Sequence, residues 1–174
     1  MAVLLFASFV LYSLIISQIY GAPYVPLPKK SLKAILSFAE IKNAENFYDL
    51  GAGDARVLFE AVNDFGVKKA VGYEVAHWPF WKARFLVRQN RLTDKIELIR
   101  QNFLETDLSG AKTVFMYLYA KLVQKAALKL VEELGPRAKI ICVSFPIKGY
   151  EKLGLRLIKQ GKADNFSVFV YEKI

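Results

Sequence analysis

Five short apolar runs recur along the chain at the spacing of a wound sheet: "NFYDL", "KKAVGYEV", "KIELIRQNF", "KTVFMYLY" and "AKIICVSF". Runs this short and this apolar read as strands buried on both faces, and such strands are parallel. Three amphipathic stretches lie between them: "ARVLFEAVNDFG", "WPFWKARFLVRQNRL" and "KLVQKAALKLVEELG". Strands alternating with helices predict a parallel sheet covered on both sides. Another helix is expected earlier, over "KKSLKAILSFAEI", with Ser31 as its cap. The end of the chain changes character. "YEKLGLRLIKQG" and "NFSVFVYEKI" are two extended stretches around a polar turn, which predicts a closing hairpin.

The first strand runs into a glycine loop, "YDLGAGDARV", and such a loop lets a nucleotide-like cofactor approach the backbone. Two patterns compete for it. The dinucleotide fingerprint G-x-G-x-x-G needs a small third residue for close helix–strand packing, but Arg56 stands there. The pattern acid-x-G-x-G-x-G of S-adenosylmethionine enzymes is met by Asp49, Gly51 and Gly53, with Ala55 in place of the last glycine. A carboxylate at the strand tip suits the ammonium and sulfonium of that cofactor. Glu74, 23 positions beyond Gly51, stands at the second strand's end, where an acid accepts ribose hydroxyls. Glu74 serves either cofactor; Asp49 and Arg56 favour S-adenosylmethionine. No G-K-[ST] follows the glycines, so a P-loop is excluded.

From Pro23 onward the chain resembles the small class I methyltransferases related to archaeal broad-specificity protein lysine methyltransferases. Their eukaryotic relatives are membrane-anchored enzymes acting on the ATP synthase c-subunit and the adenine nucleotide translocase. The motifs that carry the resemblance are "PYVPLP", "YDLGAGDAR", "AVGYE", "QNFLETDLSGA" and "EELGPRAKIICVSFPIKGY". It implies an α/β, Rossmann-like seven-stranded sheet, five parallel strands plus a closing antiparallel pair, with helices on both faces. It implies transfer of methyl from S-adenosylmethionine to lysine side chains of proteins, with no metal. Asp49, Gly51, Ala52 and Gly53 would meet the methionine end of the cofactor, Glu74 the ribose, and Asn102 with Phe103 the adenine. The chain departs from the family pattern at Leu27, Ala55 and Tyr150, and lacks the Asn-Pro expected after Glu74.

Methyl transfer to an amine needs position above all, and a neutral amine, which an apolar channel favours. Strand four ends at "YLYA" and strand five at "SFP", so Tyr119, Ser144 and Phe145 are candidates for that channel, with Tyr24 closing it from the connector. Glu105 and Asp107 are candidates for an acidic mouth. No [DN]-P-P-[YFW] follows strand four, which weighs against base-amino methylation. The alternative acceptors are RNA, a lipid or a small molecule. Within "HWPFWKARFLVRQNR", Arg84, Arg88 and Arg91 lie along one helical face, with Trp78 and Trp81 a turn earlier. That face reads as a solvated outer surface, as a contact for lipid headgroups, or as a platform for RNA.

The first 28 residues hold no Asp, Glu, Lys, Arg or His, and "VLLFASFVLYSLIISQIY", Val3 to Tyr20, is almost wholly apolar. As a helix it spans roughly 27 Å, close to a hydrocarbon core. Residues 1–22 are therefore expected to be a transmembrane anchor and residues 23–174 the catalytic domain. Lys29, Lys30 and Lys33 follow, so the domain is expected to face the cytoplasm from a single-pass protein. All 25 Lys and Arg and all 16 Asp and Glu belong to the remainder, at net +9. That balance attracts anionic lipid, acidic protein or nucleic acid without choosing among them. Cys142, the sole cysteine, leaves no intrachain disulfide and fits a cytoplasmic protein.

Overall fold

The computed structural model describes residues 25–174. Helix α1 (Lys29–Phe38) leads into β1 (Asn46–Leu50), α2 (Arg56–Phe65), β2 (Lys69–Tyr73), α3 (His77–Gln89) and β3 (Ile96–Ile99). After a 3-10 turn over Phe103–Glu105 come β4 (Thr113–Met116), α4 (Ala120–Glu133) and β5 (Lys139–Val143). A second such turn, Tyr150–Leu153, precedes the long strands β6 (Leu155–Ala163) and β7 (Phe166–Lys173). The seven strands form one sheet in the order β3-β2-β1-β4-β5-β7-β6. The first five are parallel, and β7 pairs antiparallel with both β5 and β6. The sheet is the one expected from sequence.

Alternation along the strands divides the core in two. Phe47, Ala70, Phe115, Ile141 and Val143 face one side, where α1, α2 and α3 pack with Leu32, Leu36, Leu58, Ala61, Ala83 and Val87. Val71, Val114, Met116, Ile140 and Cys142 face the other, against Leu122, Val123, Ala126 and Leu130 of α4. Burial pushes the Cys142 thiol up, so it stays protonated and inert.

One local reading is corrected. Ser31 does not cap a helix: α1 starts two residues earlier, after Pro28, whose fixed φ suits a helix start, and the Ser31 hydroxyl donates to Asp164 at 2.6 Å. The closing hairpin expected from sequence turns at Asp164 and Asn165, with Asp164 at φ 53°, a conformation that Asp tolerates. The anchor expected over residues 1–22, like Tyr24, lies outside the described residues. Among the described residues no helix is long and apolar enough to cross a membrane.

Gly72 of β2 stands in register beside Asp49 of β1. A Cβ there would lie 2.6 Å from Leu58 Cδ1 and 2.7 Å from Ala52 Cβ, so α2 and the glycine loop both press on this residue. G72A is expected to cost about 1–3 kcal/mol through overpacking, read as a lower midpoint in urea unfolding.

Candidate cofactor and methyl-transfer site

The strand order reverses between β1 and β4, and the crevice at their carboxyl ends is where open α/β sheets bind ligands. The loop after β1 is held there by its own backbone. Gly51 N–H and Ala52 N–H both donate to the Tyr73 carbonyl, at 2.9 and 2.8 Å, and Gly53 N–H donates to Glu74 Oε2 at 2.9 Å. Every second residue of the loop has a left-handed φ: Gly51 at 92°, Gly53 at 55° and Ala55 at 64°. This explains the G-x-G-x-G spacing. Gly51 admits no other residue cheaply, because an added Cβ would lie 3.0 Å from Leu118 Cδ2 at a φ that side chains rarely adopt.

Ala55 is the tolerated exception. Left-handed backbone costs an alanine about 1–2 kcal/mol, but its methyl is fully buried, which returns about 0.8 kcal/mol. The loop keeps the geometry of the glycine pattern, so the departure at Ala55 does not distort it.

A cleft opens above this loop, at the place where open α/β sheets bind their ligands. It is lined by all seven residues expected to meet a cofactor: Asp49, Gly51, Ala52, Gly53, Glu74, Asn102 and Phe103. Sequence reasoning missed Asp54, Arg56 and Tyr117, which also line it. Asp54 sits between two cations, Arg56 at 2.7 Å and Lys82 at 2.9 Å. Tyr117 meets Phe166 edge-on at 5.9 Å. Its signal was the strand "KTVFMYLY", in which every second side chain points the same way, so Tyr117 shares the parity of Tyr119, the tyrosine expected from sequence.

The remaining candidates lie outside the cleft lining. Tyr119 and Phe145 form an exposed pair at the ends of β4 and β5, ring centroids 6.5 Å apart. Ser144 sits at φ 71° and donates its N–H to the Ser167 carbonyl at 2.8 Å, continuing the β5–β7 ladder. Glu105 accepts from the Asn102 amide at 2.9 Å and Asp107 from Ser109 N–H at 2.8 Å, so both serve local turns; neither lines the cleft. His77 Nε2 lies 3.1 Å from Arg100. Among the described residues, no group of acids, His and Cys is arranged to hold a metal.

Electrostatics single out Asp49. It is 2% exposed, and its Oδ2 has no hydrogen-bond partner. Burial first, then the Glu74 and Asp54 carboxylates, hold its carboxyl well above the usual range. Burial raises Glu74 as well, opposed by the backbone N–H groups of Ala76, Gly53 and Val75. A buried, unpaired acid costs stability unless a ligand supplies its donor. An ammonium supplies such a donor and a sulfonium a second positive charge, so the residues present fit S-adenosylmethionine.

A seven-stranded sheet closed by an antiparallel pair, with an acid-lined cleft over a left-handed glycine loop, defines an S-adenosylmethionine-dependent methyltransferase. Residues 49–153 match the ANTKMT methyltransferase domain, and the chain belongs to that family. It is similar to a protein-lysine N-methyltransferase of Saccharolobus islandicus (strain REY15A), 32% identical over 155 residues, covering 89% of this chain and 96% of the relative. It is also similar to the lysine N-methyltransferase of the ATP synthase c-subunit from Xenopus laevis, 25% identical over 128 residues, covering 74% of this chain but 55% of that protein. Among solved structures it is similar to an RNA methyltransferase from Salinibacter ruber in complex with S-adenosyl-L-homocysteine. That likeness has a TM-score of 0.77 at 26% identity and covers 85% of this chain and 93% of the other. The tRNA methyltransferase TrmK of B. subtilis shares the fold, with a TM-score of 0.70 at 19% identity, covering 87% and 68%.

The raised Asp49 carboxyl makes cofactor binding pH-dependent. A folded-state value above the unfolded one means that the native apoprotein loses stability as pH climbs through the interval between them. A bound cation favours the carboxylate, so affinity rises with pH up to the folded-state value of the apoprotein, and binding below that value releases a proton. Calorimetry in buffers of different ionisation enthalpy will show that release. D49N is expected to abolish it and to weaken binding about tenfold or more, as loss of a charged hydrogen bond does, while the apoprotein unfolds no more easily than wild type. A55G, by the balance above, should shift stability by less than about 1 kcal/mol.

Proposed function

We propose that this chain is a membrane-anchored protein lysine N-methyltransferase. The observation that carries the reading is the nearly end-to-end match to a protein-lysine N-methyltransferase, joined to a cleft whose floor is acidic in a protein of net charge +9. S-adenosylmethionine supplies a methyl carbon on a sulfonium sulfur, open to in-line displacement by an amine. Asp49 orients the cationic end of the cofactor, Gly51, Ala52 and Gly53 pass beneath it, and Glu74 accepts from the ribose. Phe103 packs against the adenine, and Asn102, already held by Leu104 N–H and Glu105, shapes that end of the cleft.

The acceptor lysine enters beside the carboxyl ends of β4 and β5. There the exposed Tyr119–Phe145 pair flanks its methylene stem, and Ser144 belongs to the same channel. Tyr117 stands deeper, on the cleft wall. Burial raises its phenol, so the hydroxyl stays protonated and accepts the amine's N–H with its lone pairs. An apolar channel of this kind lowers the lysine's pKa toward neutrality by desolvation.

The anchor is supported by the sequence of residues 1–22 and by Lys29, Lys30 and Lys33 after it, which argue for a domain on the cytoplasmic side. An anchor concentrates the enzyme on membrane-associated proteins. An RNA acceptor is the second reading; the likeness to the Salinibacter enzyme and the arginines of α3 favour it.

The test is transfer of radiolabelled methyl from S-adenosylmethionine into host membrane protein, RNA and lipid fractions. Label is expected in protein, released on hydrolysis as methyllysine. Label confined to RNA or lipid would sink the lysine assignment. Y119A should lower the rate of labelling about tenfold, the scale of a lost positioning contact, without weakening cofactor binding measured by calorimetry.

A further inference from the structure

Helix α3 shows solvent a face unlike that of an ordinary surface helix. Its inner side is built from Pro79, Phe80, Ala83 and Val87, all buried. Positions 81, 84, 85 and 88 recur at helical spacing on the opposite side. There Trp81 is 50% and Phe85 64% exposed, and Arg84 and Arg88 are exposed with them. The Arg84 guanidinium lies over the Trp81 ring, 5.3 Å from its centroid. The helix contains no Asp or Glu in its 13 residues. Beyond its end come exposed Arg91, Lys95 and Arg100, with Asp94 and Glu97 the nearby acids; Glu97 is paired with Lys69 at 3.4 Å. Exposed aromatics interleaved with arginines suit the boundary between headgroups and acyl chains.

A second observation says what lies against this face. The Leu27 carbonyl accepts from Arg56 at 2.9 Å, Arg56 pairs with Asp54, and Asp54 takes Lys82 of α3 at 2.9 Å. The connector therefore joins the domain two side chains away from α3. Only residues 21–24 separate the apolar stretch ending at Tyr20 from Val25, a reach of about 17 Å at full extension. Leu27, where the connector is tied through Arg56 and Asp54 to α3, is seven residues beyond Tyr20, so a bilayer holding that stretch is within about 24 Å of Leu27.

We propose that the outward face of α3, centred on Trp81, Arg84, Phe85 and Arg88, docks in the headgroup region of an anionic bilayer. The inference rests on the membrane-anchor reading, and deepens it by fixing which side of the domain meets lipid. RNA phosphates would also attract these arginines, but only the lipid surface accounts for their place beside the connector. Docked this way, the domain has a fixed orientation on its membrane.

The test uses the full chain carrying W78F, which leaves Trp81 as the only indole, reconstituted in vesicles that contain brominated lipid. In equimolar phosphatidylcholine and phosphatidylglycerol, Trp81 emission is expected to be quenched by the brominated chains. Each arginine near an anionic surface is worth about a fivefold gain in docking. R84E/R88E should therefore remove most of the quenching while cofactor binding in detergent stays unchanged, and raised salt should do the same to the unaltered arginines. Chain that floats with the vesicles while Trp81 stays unquenched by bromolipid overturns the docking and leaves the anchor standing. Failure to float with pure phosphatidylcholine vesicles overturns the anchor alone, since quenching in anionic vesicles still reads the docking. A Trp81 response to polyuridylate in detergent, with none to anionic lipid, overturns the proposal in favour of RNA.

Discussion

A carboxylate in a dry place organises this molecule. Asp49 lies at the end of a central strand, between Gly72 and Phe115 in register, where water cannot solvate it and the protein gives its Oδ2 no donor. A domain selected for stability alone would not keep an acid there. The loop that follows is arranged around it: alternate left-handed residues turn backbone N–H groups toward β2 and keep side chains out of the approach to the acid. The sheet, the small residues at Gly72 and Ala52, and the turn into α2 all serve that arrangement. Function here is a debt in folding energy that a cationic ligand settles.

The basic charge of the chain and the acidity of its cleft are separate matters. Asp49, Asp54 and Glu74 gather at the cleft, while the cations nearest to them, Arg56 and Lys82, are committed to Asp54. The surplus of positive charge lies elsewhere: six Lys and Arg against two acids between His77 and Arg100, and twelve against seven over residues 105–174. A net charge summed over the sequence describes neither region.

The sheet was legible because its strands are buried on both faces and each is bounded by turn residues. The glycine loop that lines the candidate cleft was legible too, because backbone constraints fix it: Gly51, Gly53 and the acid before them stand at spacings that the left-handed turns require. The acceptor half was harder to read. It depends on which of two tyrosines, 117 or 119, turns inward as β4 ends, and on loops that cross between strands. Glu105 and Asp107 look like an acidic mouth in the sequence, yet each closes a local turn, a use of short polar side chains that composition does not reveal. Ser31 misled for a similar reason: its partner, Asp164, is 133 residues away.

The position of β7 has a consequence for how the chain matures. β6 borders only β7, and β7 separates it from β5. During synthesis β6 therefore emerges with no neighbour to pair with, and its ladder waits for residues made later. The parallel part, with the cofactor loop, has all its strands by Val143. Assembly from the ribosome is thus split in time, with the ligand-binding half ready before the hairpin that seals the sheet.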